Sequence, residues 1–372
     1  MNFSYVSLDP VQVTKPDQNS SDSSRTFQGI PSIERIPSGR LFAVWYSGGA
    51  GEGYDNYALL KISDDNGISW SETVAVVNPP HPVRAFDPEI WFAPNGKLYW
   101  FWAQGCGGAA NVEIFDGIAG VWYSILENPE ADPADFKFTP SRRISNGIMM
   151  NKPTVLKNGS WALPCSIWSG DYLKHDSLGI VPGAYMVVSE DQGETFYVKG
   201  RVDASTLSKN FSFDEHIFIE RENGDICCYF RYAEGIAEFV SSDGGKSWSD
   251  AVVSQSLNSP SSRFFIKRLA SGRLLAVINN SKEQREKMTA FLSEDDGKSW
   301  KHSLLLDARI ITSYPDGFEN NGTITVIYDK DRYKGGYILM AQFTEDEIIA
   351  GTLQHPESFL TREISHSRPV EK

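Results

Sequence analysis

A chain of 372 residues that is 41% hydrophobic and 12% aromatic has enough apolar surface for a large buried core, and its length is one that a single all-β domain can reach. The formal charge of −13 argues against nucleic acid or an anionic membrane as a bulk partner, because a field of that sign repels phosphate. It does not exclude an anionic small substrate, which feels the local pocket and not the total.

The opening stretch MNFSYVSLDPVQVTKPD has no apolar signal-peptide core, and no run in the chain reaches the length of a membrane span. The chain reads as soluble, and as cytoplasmic, or as secreted or periplasmic if a leader has been removed. Beyond the start, a turn made of Ser or Asn followed by Gly recurs at Gly39, Gly96, Gly159, Gly224, Gly272 and Gly322, at intervals of 48 to 65 residues. Such turns between alternating apolar runs are hairpin signals. IPSIERI and RLFAVWY flank the first, PEIWFA and KLYWFWA the second, EHIFIER and DICCYFR the fourth. Self-similarity at this period marks a propeller of about 40–50 residues per four-stranded blade.

A second repeat supports the first. The octet S-x-D-x-G-x-x-W runs from Ser63 to Trp70, Ser241 to Trp248 and Ser293 to Trp300, and from Ser189 to Phe196 with Phe last. An Asp that accepts backbone N–H bonds and a Gly at a strained dihedral give such an octet a structural role. The expected fold is therefore an all-β, six-bladed β-propeller forming a single domain. Its blades are expected near residues 28–77, 84–145, 150–202, 212–254, 260–306 and 312–343. The sixth shows no fourth strand of its own after Phe343, so the N-terminal segment 3–13 is expected to supply it and close the ring. Only short pieces such as Thr344–Ala350 read as helical. Cys106, Cys165, Cys227 and Cys228 lack CxxC spacing and read as buried free thiols.

In such a blade the first strand lines the central channel, and the residues that open it lie at the end away from the hairpin turn. The openers include Asp87, Lys152, Asp214-Glu215, Arg263 and Tyr314; the second strands close on residues such as Tyr46, Arg231 and Asp329. Strand starts in a packed sheet have no need of this polarity, so a polar pocket at that end is expected. Beside it, His216 reads as a packed, hydrogen-bonded imidazole, and Asp329, Asp331 and Arg332 as a solvated loop. Trp102 and Trp168 read as inter-blade core, with stacking on a sugar as the other reading. The scattered His and carboxylate positions give no metal spacing; neither metal nor cofactor is expected.

These residues make the chain resemble the sialidase (neuraminidase) superfamily of six-bladed propellers, whose octet is called the Asp box. The resemblance covers nearly the whole chain. Ser313-Tyr314-Pro315-Asp316 before the last Gly turn resembles the segment that carries the family's Tyr nucleophile, a departure from the usual two-carboxylate glycosidase. Asp214-Glu215-His216 resembles the segment with the assisting Glu. Arg231 and Arg285 match the second and third of three arginines that hold a substrate carboxylate, and Asp55 falls in the region of the acid/base. The first arginine, which precedes Ile-Pro, is replaced by Gly29. Arg25, Arg84 or Arg263 stand near enough to substitute, and Asp87 and Lys152 complete the expected substrate-binding set.

The resemblance implies exo-acting hydrolysis of a terminal, acidic sugar, with a glycan or small molecule as partner and neither nucleic acid nor membrane. The oligomeric state is not legible. Two rivals stay open. One is another carbohydrate-active propeller, a uronic-acid-directed glycosidase or a lyase in which a Tyr/His pair moves protons and His216 matters more than Asp55. The other is a propeller that binds carbohydrate without cleaving it.

Overall fold

A computed structural model describes residues 3–106, 117–168, 181–204, 207 and 214–367. The alternating apolar runs form six antiparallel sheets, five of them simple four-stranded meanders. The sheets run from β1 (Gln28–Arg35) to β4 (Ala75–Val77), from β5 (Val83–Phe92) to β8 (Arg142–Asn146), and from β9 (Ile148–Met149) to β13 (Tyr197–Val202). The remaining three run from β14 (Ile217–Glu220) to β17 (Val252–Val253), from β18 (Phe265–Arg268) to β21 (His302–Asp307), and from β22 (Thr312–Asn320) to β25 (Phe359–Ser365). In the third sheet β9 and β10 (Thr154–Val155) both pair with β11 (Trp161–Ile167), so its inner strand is broken in two. The expected start of blade four at residue 212 lies outside the described residues. All six turn glycines hold positive φ, from 77° to 105°, where a side chain would be strained.

The core is a ring of seams between blades. Trp100 and Trp102 pack against Val44 and Leu60 between blades one and two. Met186 meets Phe218 between blades three and four, and Val277 meets Tyr328 between blades five and six. Trp45 packs with Met340 where blade six returns to blade one. Each fully buried aliphatic side chain contributes about 1.5–3 kcal/mol relative to exposure, so the ring is closed by burial on every side. Trp102 is part of this seam and does not reach the pocket described below.

The four octets fold alike. In the first, Gly67 N–H donates to Ser63 Oγ at 2.9 Å, Ser63 Oγ donates to Asp65 Oδ1 at 2.8 Å, and Ser69 N–H donates to Asp65 at 2.9 Å. The same bonds recur around Asp191, Asp243 and Asp295. The closing aromatics, Trp70, Phe196, Trp248 and Trp300, pack against the inter-blade seams. The octet is a scaffold element, as expected.

Ring closure differs from expectation. The fourth strand of blade six is β25, paired with β24 (Tyr337–Thr344) through two irregularities. The N-terminal segment does not join blade six. Residues Phe3–Leu8 form a 3-10 helix, and the chain then crosses blades one and two. Gln104 Nε2 donates to the carbonyls of Ser7 and Asp9 at 2.8 and 2.7 Å, and Thr14 bridges to Val76. The physical reason is that β25, FLTREIS, buries only its last two residues and carries a weak apolar alternation. Between it and β24 the chain makes the short helix α1 (Glu345–Ala350), which ends on Gly351 in the left-handed conformation.

Candidate functional site

The pocket at the strand-start end is built by one local device used three times. In blades one, two and six the first strand carries a one-residue bulge, between Gly29 and Ser32, between Phe86 and Glu89, and between Ser313 and Asp316. Each bulge is an X-Pro pair: Ile30-Pro31, Asp87-Pro88 and Tyr314-Pro315. Ile30, Asp87 and Tyr314 all hold positive φ, at 56°, 47° and 56°. Such a backbone costs free energy for residues with a Cβ and persists where the surroundings demand it. Bulges re-aim side chains near functional sites, and these three all line one cavity of about 220 Å³.

Tyr314 is the centre of that cavity. Its hydroxyl donates to Glu215 Oε1 at 2.9 Å, and Arg231 Nη1 reaches both Glu215 Oε1 at 2.6 Å and the Tyr314 hydroxyl at 3.2 Å. Three more guanidinium groups lie over the Tyr314 ring, with Cζ of Arg332 at 4.3 Å, of Arg285 at 5.0 Å and of Arg263 at 5.6 Å from the centroid. Burial pushes the Tyr314 phenol up and Glu215 pushes the same way, opposed by Arg231, Arg285 and Arg332. The phenol is thus neutral at ordinary pH, with an acceptor already in contact and positive charge on the other sides.

Arg332 was read from sequence as part of a solvated loop, and that reading is overturned. It is buried, ion-paired with Asp329 at 2.9 Å, and donates to Ser313 Oγ at 3.0 Å. Asp329 is equally buried and accepts the Ile30 N–H at 2.8 Å and the Ser313 hydroxyl at 2.7 Å. A Cβ placed on Gly29 would lie 3.2 Å from Arg332 Nε. The residue at the unmatched motif position is therefore small where an arginine from blade six passes.

The other expected residues separate clearly. Asp87 and Arg84 line the cavity, Arg84 with its guanidinium 4.1 Å from the Phe86 centroid. Burial pushes the Asp87 carboxyl up to about 7, with Glu52 and Glu215 adding to the shift and Arg84 and Arg263 opposing it. Arg263 lies beneath the pocket, paired with Glu89 at 2.7 Å and donating to the carbonyls of Met150, Tyr314 and Pro315. Its donors serve the protein, so it closes the floor instead of facing a ligand. Lys152 is further down the channel, paired with Asp316 at 3.2 Å and Glu34 at 3.3 Å. It borders a larger cavity of about 430 Å³ at the turn end, which contains neither Tyr314 nor Glu215. Arg25 is buried among Asp22, Thr73 and Ser365, and Asp55 is exposed and does not line the pocket.

His216 is buried between Ser166 Oγ at 3.1 Å, the Asp214 carbonyl at 3.2 Å and the Tyr185 carbonyl at 3.1 Å, with burial lowering its pKa to about 4. It packs as the sequence predicts, away from the cavity. Sequence reasoning missed three polar pocket residues, Glu52, Arg332 and Tyr333. Two lie in the loop after Asp329 and one in the glycine-rich stretch Gly48–Gly53, neither of which carries a strand pattern. The available signal was Gly29 itself, since a glycine inside a buried strand marks close approach by another group. Among the described residues no group of three or more His, Cys, Asp or Glu side chains is placed to hold a metal ion.

The six-bladed fold is that of a sialidase-like propeller. The chain belongs to the BNR repeat-like domain family, whose model matches residues 39–327. No curated protein matches the sequence. Among solved structures it is similar to the Hadza microbial sialidase Hz136, with a TM-score of 0.65 at 16% identity, over 82% of this chain and 64% of that one. The chain thus spans less than two thirds of that sialidase. It is also similar to a K499G mutant of the NanB sialidase from Streptococcus pneumoniae, with a TM-score of 0.64 at 13% identity, covering 96% and 70% of the two chains. The intramolecular trans-sialidase from Ruminococcus gnavus, solved with oseltamivir carboxylate, gives 0.62 at 12% identity over 99% and 98%. At these identities the likeness is one of fold.

Proposed function

We propose that this protein is an exo-acting, retaining glycoside hydrolase that removes a terminal acidic sugar, with Tyr314 as nucleophile. The observation that carries the reading is the 2.9 Å hydrogen bond from the Tyr314 hydroxyl to Glu215, made inside a cluster of Arg231, Arg285 and Arg332. A phenol with an ordinary pKa near 10 is a weak nucleophile at neutral pH. A carboxylate in contact can take its proton as the bond to carbon forms. A neutral nucleophile also avoids repelling an anionic substrate. Arg285 and Arg332, with Arg231 behind them, supply the planar donors that hold a carboxylate. Arg332 restores in space the arginine that Gly29 lacks in sequence, which favours an acidic sugar over a neutral one. Asp87, whose carboxyl burial pushes up to about 7, lines the cavity and suits a sugar hydroxyl. The lyase reading required His216, whose hydrogen bonds all go to protein.

The test is turnover of a sialoside and a panel of glycuronides, with Tyr314→Phe and Glu215→Gln as controls. Loss of at least about a thousandfold in kcat is expected for Tyr314→Phe, with the melting curve preserved. Full activity of that variant overturns the reading. Product analysis by NMR separates hydrolysis from intramolecular transfer, the reaction in the name of the Ruminococcus gnavus protein.

A further inference from the structure

We infer that Glu52 is the proton donor of this site, and that in the free protein it occupies Arg332, the very group a substrate carboxylate must take. The inference rests on the hydrolase reading above and adds how its acid is chosen and armed. Among the described residues the Arg263–Glu89 pair lies beneath Tyr314, whose carbonyl Arg263 holds, so a leaving group departs through the mouth. A proton donor must therefore stand at the rim. Of the carboxyls lining the cavity among the described residues, Glu215 is engaged with Tyr314, and Asp87 is buried with 4% exposure. Glu52 is the third, half-buried at the edge. Its loop joins β2 (Leu41–Ser47) to β3 (Tyr57–Ser63) and is rich in glycine, with Gly48 and Gly49 at φ 99° and 66°.

Glu52 Oε1 accepts from Arg332 Nη1 at 3.2 Å and from the Tyr333 hydroxyl at 2.8 Å. It is a carboxylate resting on one arm of a carboxylate clamp. Burial pushes its carboxyl up, yet Arg332 and Arg84, with the hydroxyls of Tyr333 and Tyr46, outweigh that and hold it below the ordinary value. Asp87 is the other acid facing it, and the two raise each other's proton affinity. A ligand carboxylate on Arg332 cancels the main attraction and adds a second negative charge. Burial then prevails, and Glu52 takes a proton from solvent.

The chemistry balances. Tyr314 Oη bonds to the anomeric carbon and its proton passes to Glu215. The glycosidic C–O bond breaks, and its oxygen leaves as an alcohol carrying the Glu52 proton. In the second half, water attacks the same carbon and gives a proton to Glu52 as the bond from that carbon to Tyr314 Oη breaks, and Glu215 returns the first proton to the Tyr314 oxygen. A substrate without a carboxylate would leave Glu52 ionised on Arg332 and would not be protonated, so the arrangement couples recognition to catalysis.

Calorimetric titration of N-acetylneuraminic acid and of D-glucuronic acid, in buffers of different ionisation enthalpy, tests this on the intact protein. Wild type is expected to take up a proton as it binds one of these acids, with affinity falling as pH rises. Glu52→Gln is expected to bind the same acid about tenfold tighter, because the internal competitor is gone, and without proton uptake. Its turnover should fall about a hundredfold or more on an alkyl glycoside and far less on a nitrophenyl glycoside, whose leaving group needs no proton. Binding by wild type without proton uptake, or uptake that persists in Glu52→Gln, overturns this inference and leaves the hydrolase reading standing. If Asp87→Asn alone shows the leaving-group-dependent loss, the role passes to Asp87. Failure of wild type to bind either acid removes the clamp itself, and the hydrolase reading with it.

Discussion

A Cβ on Gly29 would lie 3.0 Å from Cβ of Arg332 and 2.9 Å from Oδ2 of Asp329. Blade one and blade six therefore share a space that admits one side chain, and blade six has filled it. Gly29→Ala is expected to push Arg332 and Asp329 apart, lowering Tm and raising KM for an acidic substrate about tenfold or more. Gly29→Arg combined with Arg332→Gly moves the guanidinium back to blade one. It should bind a carboxylate ligand better than Arg332→Gly alone; equal affinity of the two variants would show that position 29 cannot serve the clamp.

Arg231 and Glu215 form a buried pair whose acceptor oxygen is shared with Tyr314. Removing one partner leaves the other charged and unpaired. Arg231→Met is expected to destabilise the fold by about 3–5 kcal/mol, read as a shift in denaturant midpoint. Arg231→Met with Glu215→Gln should recover most of that loss while staying inactive. A double variant as unstable as the single would mean that the pair is not coupled.

Stability should depend on pH through buried acids, Asp87 and Asp214 among them. Burial pushes the carboxyls of Asp87 and Asp214 up to about 7, against about 3.9 in an unfolded chain. A folded-state value raised above the unfolded one means that the native state binds the proton more tightly. The contribution is therefore full below about pH 4 and is lost as pH rises through 7. Each acid accounts for at most about 4 kcal/mol of that loss. Asp87→Asn should raise Tm at pH 8 and change it little at pH 4, as differential scanning calorimetry would read. A Tm gain equal at both pH values would refute the assignment.

Ring closure has its own consequence. Because β25 covers the edge of β24, truncation before Phe359 should expose that edge, broaden the melt and promote aggregation. Removing residues 1–9 deletes the short helix and its contacts at Gln104, and should cost about 1–3 kcal/mol with cooperativity kept. Size-exclusion profiles of the two truncations decide between them; the reverse order would return ring closure to the N-terminus.

The architecture was legible because it is written locally and repeated. A turn glycine at positive φ, an alternating run and an Asp-box octet each determine a few consecutive residues, and six copies of the turn determine the ring. Tyr314, Glu215 and Arg231 could also be read, since each opens or closes a strand whose end the hairpin register sets. Arg332 and Glu52 could not. They sit on loops without periodicity, and what brings them to Tyr314 is the packing of blade six against blade one, across contacts almost 300 residues apart in the chain. The same distinction explains Arg263 and Lys152: sequence places them at strand starts, but only the filled channel decides that their donors go to Glu89, Asp316 and main-chain carbonyls. Sequence by itself thus determined the hairpins and the strand ends that carry Tyr314, Glu215 and Arg231, because local spacing sets strand ends, while the tyrosine–glutamate pairing was implied by the family resemblance. Tertiary structure alone decided which charges face the pocket, because that depends on which side chain reaches a shared space first and leaves the position opposite to glycine.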